Sequence, residues 1–221
     1  MTWSPAATSM SSFRDVSFYE SSILPRLVDL ACGAKGYVRW REKTAAGLTG
    51  KVLELGFGSG TNLGVYPADV DEVLAVEPSA SAMRIAEPRI VASGVRVVHV
   101  GLAGERIELD DSSCDSALCT FTLCTIPDVA AALGEVRRVL RPGGRFHVLE
   151  HGLAPDASVA AWQRRLEPVQ RALFGGCHLT RDPIALLQGA GFEPGATTQR
   201  YGKGPKPWTY LTRTVATVRD R

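Results

Sequence analysis

The sequence predicts an α/β fold, with a mainly parallel sheet covered by helices on both faces, and three observations carry that prediction. Short apolar runs recur at regular intervals between residues 51 and 149, helix-like segments separate them, and the first run ends in a glycine cluster, GFGSG. Strand alternating with helix calls for right-handed crossovers and therefore parallel pairing.

The runs read as strands are Lys51–Leu55, Val73–Val76, Val95–Val100, Ser116–Phe121 and Arg145–Leu149. Helices are predicted over Ala80–Ala92 and Val129–Leu140. The second follows Pro127-Asp128, carries Arg137 and Arg138 in its last turn and stops at Arg141-Pro142-Gly143-Gly144. Upstream, Phe18, Ile23, Leu24, Leu27, Leu30 and Ala31, then Val38 and Trp40, have helical spacing interrupted by Pro25 and Gly33. That predicts one or two helices between Ser17 and Ala46. Downstream, a helix over Pro155–Phe174 sets Trp162, Leu166, Val169 and Leu173 on one face and stops at Gly175-Gly176. Asp182-Pro183 begins a short helix ending near Gly191, since Asp caps and Pro suits the first turn. Phe192–Arg200 and Trp208–Val218, joined by the turn Gly202-Lys203-Gly204-Pro205, predict a hairpin. The organisation expected is one domain: a helical arm over 1–46, a ligand-binding core over 50–151, a helical insertion over 152–191 and the hairpin over 192–221.

Composition narrows the function. Lys+Arg 25 against Asp+Glu 23 gives a net charge of +2, with no general field for nucleic acid or an anionic membrane. The Ser-rich start lacks a basic leader, and no run of about 18 apolar residues occurs, so a soluble, cytoplasmic protein without a membrane anchor is expected. Cys32, Cys114, Cys119, Cys124 and Cys177 form no C-x-x-C pair and read as reduced thiols, with no metal site expected.

The chemistry concentrates in Glu54-Leu55-Gly56-Phe57-Gly58-Ser59-Gly60-Thr61-Asn62, directly after the first strand. Gly56, Gly58 and Gly60 let backbone approach a ligand at the carboxyl edge of the sheet. Glu77, ending the second strand about 20 residues on, can accept both ribose hydroxyls of a nucleoside. A dinucleotide loop would want Gly where Thr61 stands, and Glu54 would repel a pyrophosphate. An ammonium beside Glu54 is compatible, which favours S-adenosylmethionine over a nicotinamide dinucleotide.

The chain resembles the class I S-adenosylmethionine-dependent methyltransferases of the small type related to the quinone-biosynthesis enzymes. The likeness rests on VLELGFGSG (Val52–Gly60), LAVEPSASAM (Leu74–Met83), ERIELDDSSCDSALC (Glu105–Cys119) and LGEVRRVLRPGG (Leu133–Gly144), in that order. It is more closely similar to the methyltransferase-like alkyl-thiol S-methyltransferases, through CTFTLCTI (Cys119–Ile126), LEH (Leu149–His151) and LEPVQRALFGGCHLTRD (Leu166–Asp182). The resemblance implies a Rossmann-like sheet of seven strands whose last strand is antiparallel. It implies a cofactor site drawn from Glu54, Gly56, Gly58, Gly60, Asn62, Glu77, Pro78, Ser79, Met83, Ala103, Gly104, Glu105, Thr120, Phe121 and Cys124. Two departures stand out: animal members carry an N-terminal membrane helix, which is not expected from this sequence, and His99–Glu105 differs from the family's usual G-x-A-E. Adenine contacts are therefore expected from the backbone N–H of Gly104 or Glu105.

Methyl transfer from a sulfonium is an in-line displacement that needs alignment and exclusion of water, with no metal. His151 is the first candidate for proton removal or acceptor orientation. Thr122, Glu150, Cys177 and His178 are further candidates, while Cys119 and Cys124 are expected to line a pocket or pack. Trp162, Leu166, Leu173 and Phe174 are expected in the core or over an apolar acceptor cavity, and Arg137-Arg138 and Arg164-Arg165 on solvated faces. The acceptor expected is a small apolar thiol or sulfide, with a quinone ring or lipid as the alternative. From other classes, a nicotinamide oxidoreductase and a catalytically silent cofactor-binding module stay open.

Overall fold

A computed structural model describes residues 19–219, so the Ser-rich start and the predicted helical residues Ser17 and Phe18 lie outside the described residues. A π-helical turn, Tyr19–Ile23, leads into α1 (Leu24–Cys32) and α2 (Lys35–Ala45). The core follows as β1 (Gly50–Leu55), β2 (Val70–Val76), α3 (Ala80–Ser93), β3 (Val97–Gly101), β4 (Cys114–Thr120), α4 (Val129–Val139) and β5 (Leu140–His151). Then come α5 (Ala157–Leu173), α6 (Pro183–Gly189), β6 (Phe192–Pro194), β7 (Thr198–Tyr201), α7 (Lys206–Thr209) and β8 (Tyr210–Val218).

The sheet runs β3-β2-β1-β4-β5-β8-β6, with β7 also on β8. β1 through β5 pair in parallel, and β8 lies antiparallel to β5 from Arg145↔Thr217 to His151↔Leu211. Eight strands thus stand where seven were expected, and the extra one comes from a break in the edge strand. β6 pairs Pro194↔Ala216 and β7 pairs Thr198↔Arg213, so one more residue intervenes on the edge side than on β8. Gly195 N–H donates to Val215 O at 2.9 Å inside the break, which is the geometry of a β-bulge. The predicted hairpin is present with α7 inserted in its turn.

Strand parity sorts side chains to two faces. Leu53 and Leu55 of β1, Leu74 and Val76 of β2, and Phe146 and Val148 of β5 face α4 and α6 in the largest apolar cluster. Val52 faces Ala45 and Leu48 below α2, while Val73 and Ala75 meet Phe57, Leu63 and Ala86 of α3. Helices therefore cover both faces, as parallel sheets require. Caps fix the helix starts: Ser79 Oγ accepts from Ala82 N, Asp128 Oδ1 from Ala131 N, and Asp182 Oδ1 from Ile184 N and Ala185 N.

Three expectations are corrected. β5 starts at Leu140 rather than Arg145, because Leu140 already pairs with Cys114 and the Pro142-Gly143-Gly144 segment bulges out of the ladder. The predicted apolar face of α5 turns outward: Trp162 is 55% exposed, Val169 56% and Leu173 48%, whereas Val159, Ala160, Gln163 and Gln170 are buried. Gln163 is buried because its amide is used, accepting from Ala154 N and donating to Gly152 O and Pro207 O. Arg138, expected on a solvated face, instead pairs with Glu135 and Asp111 and donates to Ile107 O and Leu109 O, tying down the loop before β4.

Phe192 is fully buried, 5.3 Å centroid to centroid from Phe146, and anchors the bulged edge strand to the core. Phe192→Ala should destabilise the fold by about 3–5 kcal/mol, read as a lowered urea midpoint at unchanged slope. A loss below about 1 kcal/mol would place that strand outside the cooperative core.

Candidate active site

Strand order reverses between β1 and β4, and parallel sheets open a crevice beyond the carboxyl ends of the strands at such a point. A cavity of about 540 Å³ lies there. Gly56 and Gly58 line it from the loop after β1, Glu77, Pro78 and Ser79 from the end of β2, Ala103, Gly104 and Glu105 from beyond β3, and Thr120 and Phe121 from the end of β4.

Glu77 fixes the mouth. Its Oε2 accepts from Gly58 N–H at 2.7 Å and its Oε1 from Ser79 N–H at 2.8 Å, while His99 Nε2 lies 2.9 Å from Glu77 O. Burial raises the Glu77 pKa and the two backbone donors oppose that. Each carboxylate oxygen retains acceptor capacity, so the group can take further donors from the cavity side. Gly58 stands beside it at φ +58°, and a Cβ built there meets nothing within 4 Å. Gly56 is required for a different reason, since a Cβ there would lie 2.1 Å from Thr122 Oγ1.

Other expected residues sit outside the cavity wall. Glu54 shares the face of Val52, not that of Leu55, so its side chain turns toward α2; it is 1% exposed. Its carboxylate accepts from Asn62 Nδ2 at 2.6 Å and from the Tyr66 hydroxyl, and burial pushes it up to about 7 against those hydrogen bonds. Asn62 is consumed in the same network, also donating to Thr120 Oγ1 at 3.0 Å. Gly60 serves the turn, where a Cβ would strike Leu63 at 2.6 Å. Met83 packs with Phe57, Leu63 and Val73, and Cys124 and His151 lie behind the wall with Cys177.

Arg41 was missed by the sequence reading. It is 3% exposed and lines the cavity, donating from Nη1 to Asn62 Oδ1 and Thr120 Oγ1, both at 2.7 Å, and from Nη2 to Cys32 O at 2.9 Å. Its guanidinium lies 5.3 Å from the Phe121 ring centroid, and its Nε has no partner among the described residues. The available signal was an arginine on the same helical face as Tyr37, Trp40 and Thr44. Phe121 holds φ +55°, a strained conformation for a bulky residue, fixed by its N–H to Leu149 O and by ring contact with Tyr37 at 5.0 Å.

The candidate acid–base groups separate by role. Glu150 is fully buried, and its Oε1 accepts from Thr122 N at 2.7 Å and Leu123 N at 2.9 Å, which latches the loop after β4. His178 Nδ1 lies 2.7 Å from Glu167 Oε1, whose carboxylate also accepts from Leu179 N and Thr180 N, a structural arrangement. His151 Nε2 lies 3.3 Å from Cys177 Sγ, and Cys177 Sγ 3.5 Å from Cys124 Sγ. The Cys124 thiol first, and then the His151 ring, pull the Cys177 thiol below the usual thiol range against burial. All five cysteines are free thiols.

Residues 53–149 match the family model described as a methyltransferase domain. The thiol S-methyltransferase TMT1A of Homo sapiens is 38% identical over 157 residues, 66% of this chain and 62% of that protein. The thiol S-methyltransferase TMT1B of Rattus norvegicus is 37% identical over 147 residues, 64% of this chain and 59% of that protein. The chain thus spans about three fifths of the length of these curated relatives. Among solved structures, an S-adenosylmethionine-dependent methyltransferase of Mesorhizobium loti has a TM-score of 0.61 at 16% identity, covering 83% of this chain and 98% of that one, a likeness of fold.

Burial lifts the Glu54 carboxyl from 4.5 to about 7, so between those values the folded chain keeps a proton that the unfolded chain has released. This contribution to stability is full below pH 4.5 and is lost as pH rises through about 7. Glu54→Gln has no such proton to lose, so its melting temperature should rise relative to that of the wild type as pH is taken from 4.5 to 7. A difference between the two that stays constant across that range would contradict the placement of Glu54.

Proposed function

We propose, from the match of residues 53–149 to the methyltransferase domain model, that this chain belongs to that family and transfers a methyl group from S-adenosylmethionine to the sulfur of a small, apolar thiol. The observation that carries this reading is the buried Glu77 carboxylate facing the gap over Gly58 at the β1–β4 switch point. The residues present fit the donor. Glu77 would accept from the ribose hydroxyls, Gly58 leaves room for close backbone approach, and Pro78, Ala103 and Gly104 would flank the adenine. Arg41 would place its buried positive charge beside the carboxylate of the amino-acid end, where low dielectric strengthens the attraction. When bound, S-adenosylmethionine supplies an electrophilic methyl group on a sulfonium.

The protein's part is positioning and exclusion of water, worth about 7–11 kcal/mol when reacting atoms are held in line. Phe121, backed by the Tyr37 ring, lines one side, and Leu24, Pro25 and Val28 of α1 present an apolar wall along which an apolar acceptor would lie. The described residues that line the cavity include no His and no Lys. An acceptor that needs a strong general base, such as an amine or carbon acid, is poorly served there. A thiol with a pKa of about 8.5 is already a few per cent ionised near neutrality. The named activity of the relatives TMT1A and TMT1B supports the same acceptor class. No helix among the described residues is long and apolar enough to cross a membrane, and five free thiols suit a reducing cytoplasmic setting.

Purified protein incubated with methyl-labelled S-adenosylmethionine and a panel of hydrogen sulfide, alkyl thiols, phenols, quinols and amines should label the thiols alone. Labelling confined to a phenol or quinol, or no product at all, would overturn the assignment. Glu77→Ala should weaken S-adenosylmethionine binding by about tenfold or more, the effect of losing hydrogen bonds to a charged acceptor. Unchanged affinity by calorimetry would remove Glu77 from the cofactor site.

A further inference from the structure

Cys124, His151 and Cys177 come from three separate parts of the chain: the loop after β4, the end of β5 and the segment after α5. Their ligand atoms nonetheless all lie within 4.8 Å of one another, and no other such group of three occurs among the described residues. Two of the three edges are 3.5 Å, between the two sulfurs, and 3.3 Å, from Cys177 Sγ to His151 Nε2; the third, between Cys124 and His151, is within 4.8 Å. Ordinary Zn–S and Zn–N bond lengths in a tetrahedron set two sulfurs about 3.8 Å apart, and a sulfur and an imidazole nitrogen about 3.5 Å apart. Two edges are thus close to those separations, and side-chain movement that draws Cys124 and His151 together would complete the seat.

The surroundings favour a built site over a chance encounter. Both cysteines are buried, His151 is partly buried, and His178 N–H donates to Cys124 O at 2.9 Å, stitching the two cysteine loops together. Cys177 N–H donates to Phe174 O at 3.0 Å, which holds its own turn. Thr125, next to Cys124, and Gly175, two residues before Cys177, line the main cavity, so the cluster borders that chamber.

We propose that Cys124, His151 and Cys177 bind one Zn²⁺ ion whose fourth position is left for an exogenous sulfur ligand. Two sulfurs and an imidazole select a soft or borderline cation over Mg²⁺ or Ca²⁺, and three protein ligands are the number found where a zinc site keeps an open place. The role assigned to the ion rests on the thiol reading above. An acceptor thiol that coordinates there releases its proton to solvent. Its sulfur lone pair then forms the new S–C bond as the donor's C–S⁺ bond breaks, leaving a thioether and neutral S-adenosylhomocysteine.

The test is to strip the purified full chain with a chelator, reload it with Co²⁺ and record metal content and absorption. One Co²⁺ per chain, with thiolate-to-cobalt charge transfer and tetrahedral ligand-field bands, is expected. Cys124→Ser and Cys177→Ser should each cut the charge-transfer intensity by about half or more, and the double variant should abolish it, whereas Cys114→Ser should keep it, with circular dichroism confirming that each variant is folded. Independently of any variant, Zn²⁺ should protect Cys124 and Cys177 from alkylation in the wild type. Substoichiometric metal, an unaltered spectrum in folded Cys177→Ser, or a Cys124–Cys177 disulfide in place of metal would overturn the site. Thiol methylation at full rate by metal-free protein would overturn the role assigned to the ion and leave the thiol reading standing. Stoichiometric thiolate-bound Co²⁺ in a protein that methylates only phenols would do the reverse.

Discussion

Two backbone N–H groups converge on one buried carboxylate, and the geometry of the candidate active site hangs from that convergence. Gly58 belongs to the loop after β1 and Ser79 begins α3, and Glu77 at the end of β2 holds both. Hydrogen bonds to a charged acceptor contribute about 1.5–3 kcal/mol each, enough to offset much of the cost of desolvating a carboxylate that is 7% exposed. Ser79 is also the cap of α3, so the same few residues start a helix, end a strand and shape the cavity mouth. His99 on β3 lies against the Glu77 carbonyl and extends the tie to a third strand.

Behind this lies a second polar layer that links the N-terminal helices to the sheet. Arg41 of α2 reaches Asn62 and Thr120, Asn62 reaches Glu54, and Glu54 is shared with Tyr66. The network makes α2 part of the cavity wall, because removing one member leaves others buried without partners. It also revises the electrostatic argument for the cofactor. Glu54 faces Asn62 and Tyr66, so it orients the floor of the site from behind; Glu77 and Arg41 are the charged groups that combine burial with a place on the cavity wall.

The sequence made the frame legible because strand and helix starts carry local signals. Ser79, Asp128 and Asp182 are caps that can be read from a few neighbouring residues, and Glu77 announces itself as an acid ending an apolar run after a glycine loop. Features that depend on distant residues were not legible. The bulge at Gly195 depends on how the edge pairs with β8, and the outward turn of Trp162 depends on Gln163 satisfying backbone groups of two other segments. Arg41 gave only the faint signal of a charge on a mixed helical face, and Phe121 gave none for its positive φ. Cys124, His151 and Cys177 have no motif spacing; only the end of β5 beside the loop after α5 brings them together.

A crystal structure of the protein soaked with S-adenosylhomocysteine would test the central claim most directly. The account predicts the ribose hydroxyls within hydrogen-bonding distance of Glu77 and the amino-acid carboxylate beside Arg41. Adenosine density elsewhere on the molecule, or in that crevice with Glu77 turned away from the ribose, would contradict it.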